Sequence, residues 1–398
     1  MTTYDWIVIG GGITGSALSY ELCQKGFRVL LLEKDAIPNN ATGYSYGGLA
    51  YWSGTTSLTR QLCQEGIEIH RNLSAELGEE TEFREMDLLL TIDSQNDANK
   101  VAQNYQIFAI KPQLLSPEEA WELEPLLNRN AIALGAAEPI AGALRFPHGN
   151  IQPEKTNLAY QQAFRRHGGK TIVETVTQLL QEGEKIVGVQ TNQNSYYAAN
   201  TVCCAGGLTR RLLNTVQKKI PLYFTHAQLI RTPPLDIQLS TIVMPATLNR
   251  LAMEAQAASL EPELWEQPSP ELLAEIIEAG AVQFLDGSFC IGQMSQIRTA
   301  PDAKIDAAAS EANIRAAVGK VLPSLAKVPG TWHSCLVAFS KNSPFSVGEV
   351  DNAKGLYIFS GFTSTLVFAP PVAKHFAQWA AGEDDEIIKL NLSKTQGI

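Results

Sequence analysis

A group of glycines near the amino terminus has the residue types and spacing that dinucleotide binding requires. Gly10, Gly12 and Gly15 directly follow the apolar segment 6–9, and Glu33 ends a second apolar segment. Gly10 permits a tight turn, Gly12 lets the backbone approach a pyrophosphate, and Gly15 lets a helix pack closely on a sheet. An acid at the distance of Glu33 accepts hydrogen bonds from both ribose hydroxyls. The segment therefore predicts a binding site for an adenine dinucleotide.

A strand, a helix and a second strand must position these residues. Segments 6–9 and 29–32 are apolar runs typical of buried parallel strands, and 14–25 is predicted as the helix between them. The amino end of this helix presents free N–H groups and a positive dipole end to the phosphates, and Ile13 and Thr14 lie there. The order β, α, β predicts an α/β fold.

The rest of the chain alternates between strand and helix patterns. Strands are predicted over residues 83–92, 171–176, 183–190, 196–204, 222–231, 289–294 and 356–359. Helices are predicted over residues 58–77, 154–168, 248–280 and 310–322, with a last one that follows Pro370-Pro371 and runs to 381. Because the last strand comes so late, the cofactor domain is predicted to be discontinuous.

Two domains follow from this order of elements. The first is a discontinuous Rossmann-like cofactor domain made of residues 1–85, 147–215 and 325–398. The second is a mixed-sheet α+β substrate domain made of residues 86–146 and 216–324, with a helical insertion near 248–280. The insertion is interpreted either as a lid over the site or as a docking surface for a subunit or an electron acceptor.

Composition excludes several classes of function. A net charge of −10 argues against nucleic acid or an anionic membrane as a partner. No apolar run is long enough for a transmembrane helix, and the first strand starts too early for a signal peptide to precede it. The six cysteines lack zinc-ligand spacing, so no metal site is predicted, and they suggest free thiols in the cytoplasm.

Five segments together resemble the signatures of one enzyme superfamily. The chain resembles the FAD enzymes of the D-amino-acid oxidase, glycine oxidase and sarcosine oxidase superfamily over nearly its whole length. The segments that carry the resemblance are the opening glycine block with Glu33, the Ser- and Gly-rich segment 41–49, the Cys-Ala-Gly-Gly segment 204–207, segment 344–348 and segment 355–370.

The resemblance implies FAD as the cofactor and a small amine or amino acid as the substrate. It implies hydride transfer to the flavin from a C–H bond next to the amine, followed by hydrolysis of the imine, with the hard step carried out by the cofactor. The cofactor contacts that it implies are Gly10, Gly12, Ile13, Thr14, Gly15, Glu33, Lys34, Thr42, Ser45, Gly47, Gly48, Leu49, Val176, Ala205, Gly206, Gly361, Thr363, Ser364, Thr365 and Leu366.

The chain departs from the superfamily pattern at three positions. Val337 stands where glycine and D-amino-acid oxidases have an arginine that clamps the substrate carboxylate. Leu366 replaces a glycine that permits positive φ in the carboxy-terminal loop, so that loop is expected to follow a different path. Cys290 replaces a lysine that assists oxygen reduction in sarcosine oxidases, which shifts the expectation towards a dehydrogenase.

Four side chains are candidates on the flavin and substrate side. Cys335 has the spacing at which sarcosine oxidases attach flavin covalently, and its alternative role is a buried apolar cysteine. Lys341 is either a point charge for a substrate carboxylate or a solvated lysine. Arg298 is either a clamp from another direction or a surface arginine, and Tyr51 is either a wall of the substrate cavity or core packing.

Three functions remain open at this point. The first is FAD-dependent oxidation of a small amine or amino acid. The second is an FAD-dependent dehydrogenase of a 2-hydroxy acid or similar alcohol that passes electrons to a quinone or a protein. The third is a flavin-binding protein without amine oxidase activity.

Overall fold

The computed structural model describes residues 3–37, 39–129, 140–267 and 271–389. The strands in this part of the chain are β1 Thr3–Ile9, β2 Val29–Glu33, β3 Gly48–Leu49, β4 Arg84–Asp93, β5 Gln113–Leu115, β6 Ile140–Asn150, β7 Lys170–Val173, β8 Val176–Glu182, β9 Lys185–Thr191, β10 Ser195–Cys203, β11 Leu222–Arg231, β12 Ile242–Pro245, β13 Ile276–Gln283, β14 Phe289–Gln296, β15 Thr331–Ser340, β16 Ser346–Glu349 and β17 Leu356–Ser360.

Helices cover both sheets. In chain order they are α1 Ile13–Gln24, α2 Ser57–Leu77, α3 Ala98–Asn104, α4 Pro117–Leu123, α5 Pro153–Arg166, α6 Thr209–Leu213, α7 Asn249–Ala258, α8 Ala307–Val321 and α9 Thr365–Ala380. Among the described residues, no helix has the length and apolar character needed to cross a membrane.

The first sheet has the strand order β16-β17-β10-β1-β2-β7, and β9 and β8 continue from β10. Strands β17, β10, β1, β2 and β7 run parallel to their neighbours, whereas β16 and β9 pair antiparallel. β1 and β2 are apolar because both faces of a parallel sheet are covered. Helices α1, α2, α5 and α9 pack over one face in a large apolar core. The carboxyl ends of these five parallel strands therefore lie at one edge of the sheet.

The second sheet has the order β15-β11-β14-β13-β12-β4-β6-β3, with β5 paired to β6. It is mixed, because β12 runs parallel to β4 while the other neighbours along this order pair antiparallel. Its edge strand β15 lies beside the turn at Gly206–Leu208, which follows β10 of the first sheet. A Cβ atom on Gly207 would lie 2.6 Å from Leu336 Cβ. The mixed α/β fold is as predicted.

The predicted helical insertion is wrong over its last residues. Within 248–280 the structure has helix α7 and a short 3-10 turn at Pro262–Glu266, but β13 begins at Ile276 and is an inner strand of the second sheet. The stretch 276–282 is short and mostly apolar, which is typical of a buried strand, and the acidic residues before it obscured that pattern. Residues 268–270 lie outside the described residues.

The last helix begins earlier than the prolines suggest. The sequence predicts a helix after Pro370-Pro371, whereas α9 starts at Thr365 and contains both prolines. Proline removes an N–H donor and clashes with the preceding turn, which is why it is usually placed at a helix start. The carbonyl of Leu366, which would have accepted from Pro370, instead accepts from His70 of α2.

The predicted domain boundaries stay a prediction, and strand pairing gives the relevant geometry. β15 lies within 325–398, which the sequence assigns to the cofactor domain. It pairs residue by residue with β11 of the second sheet from Thr331 to Ser340. β3, which also lies in the predicted cofactor domain, pairs with β6 of the second sheet.

Glu21 on α1 gives a testable dependence of stability on pH. Burial first, and Glu76 second, raise the pKa of this carboxyl to about 7 from 4.5. A folded-state pKa above the unfolded value stabilises the fold at low pH, and this contribution is lost as pH rises from about 4.5 to 7. We expect Glu21→Gln to increase the free energy of unfolding at pH 8 by about 1–2 kcal/mol and to leave it unchanged near pH 4.5.

Urea unfolding followed by tryptophan fluorescence at the two pH values measures this effect. Glu122→Gln, which changes an exposed carboxyl on α4, is the control and should alter neither value. An equal gain at both pH values for Glu21→Gln would contradict the assigned titration.

Candidate functional site

The turn after β1 can be made by glycine alone. Gly10 has φ of +106°, and a Cβ atom on it would lie 2.6 Å from the carbonyl oxygen of Cys204. A Cβ atom on Gly15 would lie 1.9 Å from the Gly10 carbonyl oxygen. Any side chain at either position would separate α1 from the turn or β1 from β10. The predicted roles of these two glycines in the turn and in close packing are met by this geometry.

The amino end of α1 is open towards a bound group. Gly12 is the N-cap residue of the helix, and because it has no side chain it cannot form a capping hydrogen bond. The N–H of Ile13 donates to Thr42 Oγ1 at 3.0 Å, and a Cβ atom on Gly12 would lie 3.2 Å from the same oxygen. Free helix N–H groups beside a hydroxyl and a bare glycine form a surface that an anionic group can approach closely.

Glu33 is held at the end of β2 by the backbone. Its Oε2 accepts from the N–H of Gly11 at 2.6 Å, and its Oε1 accepts from the N–H of Asp35 at 3.1 Å. Only 8% of Glu33 is exposed. Each carboxylate oxygen has further lone pairs. The acid can therefore accept hydrogen bonds from a diol while it stays fixed to the glycine turn.

A groove of about 760 Å³ connects these features with the second sheet. It runs along the carboxyl ends of β1, β2, β10 and β17, which is where ligands bind to open parallel sheets. The predicted cofactor residues that line it are Gly10, Gly12, Ile13, Thr14, Glu33, Lys34, Thr42, Val176, Ala205, Gly206, Gly361 and Thr365.

The two ends of the groove are formed by different elements. One end is formed by residues 174–177 together with Leu212 and Thr215, near Glu33. The other end is formed by residues 334–338 of β15, by residues 360–362 after β17 and by Thr365 at the start of α9. Gly361 has φ of +72°, so the chain turns sharply there before α9 begins. The second end is where a planar ring would meet both sheets.

Eight of the predicted cofactor residues do not line the groove. Gly47 packs on the Ile151 carbonyl, Gly48 on the His148 ring, and the side chain of Leu49 is fully buried in the first core. The residues of this group that do not line the groove are Gly15, Ser45, Gly47, Gly48, Leu49, Thr363, Ser364 and Leu366.

The structure places Leu366 inside a helix rather than in the carboxy-terminal loop. The leucine does not need positive φ, because it is the second residue of α9, and the positive φ falls on Gly361 instead. The carbonyl of Leu366 accepts a hydrogen bond from the ring of His70. Ser364 supplies a carbonyl that accepts from Val367 and Phe368, and Thr363 donates its N–H to Pro344.

The four side-chain candidates are not brought together. Cys335 lines the end of the groove formed by β15 and the start of α9. Burial raises the pKa of its thiol to about 12. Tyr51 packs against the first core, where Glu85 and Arg71 are its charged neighbours. Arg298 lies 3.9 Å from Glu271. Lys341 is exposed and donates its backbone N–H to Pro221. Only Cys335 is a wall of the groove.

Val337 also lines the groove, at the position where related oxidases have an arginine. The residue opposite Val337 on the adjacent strand β11 does not supply a cation in its place. That residue is Thr225, whose hydroxyl lies 3.3 Å from Glu254 Oε1. Arg250 on α7 bridges Glu254 and Glu278 at 3.0 Å each and is occupied by them. The groove wall at this point is therefore apolar, with carboxylates behind it.

The sequence analysis missed several residues that line the groove. Asn39 and Asn40 precede the predicted Thr42, and the side chain of Asn40 accepts from the N–H groups of Thr42 and Gly43, so it shapes this loop. An Asn-Asn pair in a long polar loop is a recognisable turn signal. Among the other missed residues, those on β15 and α6 are brought to the groove only by the fold: Ser334, Leu336, Ala338, Arg211 and Leu212.

The residues present fit a bound FAD. A turn in which a Cβ atom would clash, an uncapped helix start and a fixed carboxylate follow one another along one end of the groove. Glu33 would hold the ribose, the α1 amino end and Thr42 would hold the diphosphate, and the β15 and α9 end would hold the flavin.

Comparison with known proteins supports this assignment. The chain is 25% identical over 387 residues to 4-methylaminobutanoate oxidase (formaldehyde-forming) of Paenarthrobacter nicotinovorans, an alignment that covers 94% of this chain and 43% of that protein. It is 31% identical over 189 residues to the anaerobic glycerol-3-phosphate dehydrogenase subunit A1 of Haloferax volcanii, covering 46% and 30%. The chain thus spans less than half the length of these curated relatives.

A solved structure supports the fold. Glycine oxidase from Geobacillus kaustophilus superposes with a TM-score of 0.77 at 19% identity, covering 97% of this chain and 96% of that one. The family description "FAD dependent oxidoreductase" (DAO) matches residues 5–379. The chain, with a glycine turn, an acid and a groove that suit FAD, belongs to the DAO family of FAD-dependent oxidoreductases.

Proposed function

We propose that this protein oxidises a carbon–nitrogen bond of a small amine or amino acid, by hydride transfer to FAD held in the groove. The observation that carries the proposal is the course of the groove, which starts at the acid and the α1 amino end and finishes between β15 and α9. A cofactor placed along it would present its ring to the wall of the second sheet. FAD supplies the hydride acceptor when it is bound.

The protein's own residues bind and orient. Glu33, fixed by two backbone N–H groups, would accept from a ribose diol without rotating. Thr42 Oγ1 and the N–H groups at the start of α1 would face the diphosphate. Leu336, Val337 and Phe362 give the flavin end an apolar lining that excludes water from the reacting carbon. Positioning of this kind accounts for much of the rate in such a site.

An amine substrate is favoured by the chemistry of the groove wall and by the relatives. Val337 offers no partner to a carboxylate on the reacting carbon, and Glu254 lies behind its neighbour Thr225. The relative that aligns with 94% of this chain is an oxidase named for a methylamino compound. A group that enters as a neutral amine needs no side-chain base in the hydride step.

A dehydrogenase of a 2-hydroxy acid or similar alcohol is the second candidate. The similarity to a glycerol-3-phosphate dehydrogenase subunit over about half of the chain favours it. Cys290 is a second reason, since a buried cysteine supplies no positive charge that could stabilise reduced oxygen. A quinone or a protein would then take the electrons.

The proposed location is the cytoplasm, with a small-molecule substrate and neither nucleic acid nor a membrane as a partner. All six cysteines are free, and they persist as thiols in a reducing compartment. A subunit or an electron-acceptor protein that docks on the surface is compatible with this proposal.

The cofactor proposal is tested by flavin uptake. We expect purified protein to be yellow and the apoprotein to bind FAD. Glu33→Gln should weaken FAD binding about 10- to 100-fold, because a charge-assisted hydrogen bond to the ribose contributes about 1.5–3 kcal/mol. Fluorescence quenching of added FAD measures the dissociation constant. Glu182→Gln, at an exposed position on β8, should bind FAD like the wild type.

The substrate class is tested by anaerobic bleaching of the flavin. Methylated and primary amines, amino acids and 2-hydroxy acids are mixed singly with the oxidised holoenzyme without oxygen. We expect loss of the 450 nm absorbance (roughly the usual flavin band) with an amine and no loss with the matching hydroxy acid. Bleaching by the hydroxy acids alone would support the second candidate, and no bleaching by any compound would leave a flavin-binding protein without amine chemistry.

The link between Cys335 and flavin is tested by acid precipitation. The thiol lines the groove, but a pKa near 12 keeps it protonated at neutral pH, and a protonated thiol is a poor nucleophile. We therefore expect the colour to leave with the supernatant. Colour that stays with the pellet of the wild type and leaves with the supernatant of Cys335→Ser would instead establish covalent attachment.

A further inference from the structure

We infer that His70 of α2, acting through the carbonyl of Leu366, positions the first turn of α9 against the flavin and so favours the reduced cofactor. The inference rests on the proposed function, because it requires FAD in the groove. Thr365 at the start of α9 lines the flavin end of the groove together with Gly361 and Phe362. His70 touches neither the groove nor a substrate, so its role is that of a positioning residue.

Two neighbouring carbonyl groups at the start of α9 cannot receive the usual helical hydrogen bond from the residue four positions later. In an α-helix the carbonyl of residue i accepts from the N–H of residue i+4. The residues four positions after Leu366 and Val367 are Pro370 and Pro371, which have no N–H. A buried carbonyl without a partner is costly, so this turn needs donors from elsewhere.

His70 supplies the donor for the first of these carbonyls. Its Nε2 lies 2.7 Å from the Leu366 oxygen, and only 1% of the residue is exposed. A carbonyl only accepts, so Nε2 carries the hydrogen and Nδ1 is unprotonated and has no partner. Burial lowers the pKa of His70 to about 4, which keeps the ring neutral and this tautomer in place near neutral pH.

Gly66, one turn earlier on α2, accommodates the second carbonyl. A Cβ atom at this position would lie 2.2 Å from the Val367 oxygen and 3.0 Å from its Cγ1. The glycine therefore lets the two helices approach until the α2 backbone meets the open carbonyl. Gly66 and His70 are four residues apart, so they lie on the same face of α2 and match two successive positions of α9.

This contact fixes the direction of the amino end of α9. Ser364 caps the helix without a side-chain hydrogen bond, so the first N–H groups and the positive dipole end remain available. A positive helix end beside the ring stabilises the negative charge that flavin gains on reduction. If the turn is released, this stabilisation weakens and the reduction potential falls.

The test is the midpoint potential of the FAD-loaded protein, measured by equilibration with a reference dye. We expect His70→Leu to weaken stabilisation of the reduced flavin about tenfold, which lowers a two-electron potential by about 30 mV. His70→Gln keeps an N–H donor and should restore most of the potential. If His70→Leu fails to fold, Gly66→Ala displaces the same turn and should lower the potential in the same direction.

His375→Gln is the matched control. His375 also joins α9 to α2, since its ring bonds Glu65 at 2.9 Å, but it lies in the second half of the helix and far along from Leu366. This variant should lower the melting temperature and leave the potential unchanged. An unchanged potential in His70→Leu or Gly66→Ala, or an equal shift in His375→Gln, would overturn the inference alone. A wild-type protein that takes up no FAD would overturn the proposed function with it.

Discussion

The groove depends on how closely two helix starts approach the carboxyl ends of the first sheet. The approach of α1 is made by backbone, and the start of α9 is held by the backbone of Gly66 together with the ring of His70. At α1, Gly15 lies where any Cβ atom would meet the Gly10 carbonyl, and Gly12 leaves the helix start bare. At α9, Gly66 lets α2 come up against the Val367 carbonyl. Because these contacts are steric, both helix ends are held in fixed positions before any ligand arrives.

The two helix starts direct their positive ends into the same groove, at opposite ends of it. This arrangement suits FAD, because its diphosphate is negative in both redox states and its ring becomes more negative on reduction. Glu33, beside the start of α1, would add a hydrogen-bond acceptor for the neutral ribose. The electrostatic pattern therefore follows the chemistry of the cofactor, and few charged side chains line the wall.

The second sheet gives the groove its apolar wall. β15 is the edge strand of the second sheet, so its residues can face the first sheet. Val337 of this strand is part of the groove wall. The charges near it are already paired, since Arg250 is shared between Glu254 and Glu278. The wall can therefore hold a neutral amine, whereas a carboxylate on the reacting carbon would find no cation at Val337 or at its register partner Thr225.

The sequence by itself determined the α/β fold, the dinucleotide turn and the acid that goes with it. These features are local: a strand period, three glycines and Glu33 lie within one β-α-β unit, and the geometry of such a unit is set by short-range sterics. The family resemblance extended this to FAD. Most of the predicted contacts in segments 10–14, 33–42 and 205–206 do line the groove.

The tertiary structure alone decided which residues of β15 and α6 meet the groove, and that residues 45–49 do not line it. It also decided that 276–280 is a strand and that α9 begins before its prolines. Each of these depends on a partner far away in the chain. The hydrogen bond that Pro370 cannot donate to Leu366 is replaced by His70, and Gly66 gives the Val367 carbonyl room, both about 300 residues earlier. No local pattern carries that information.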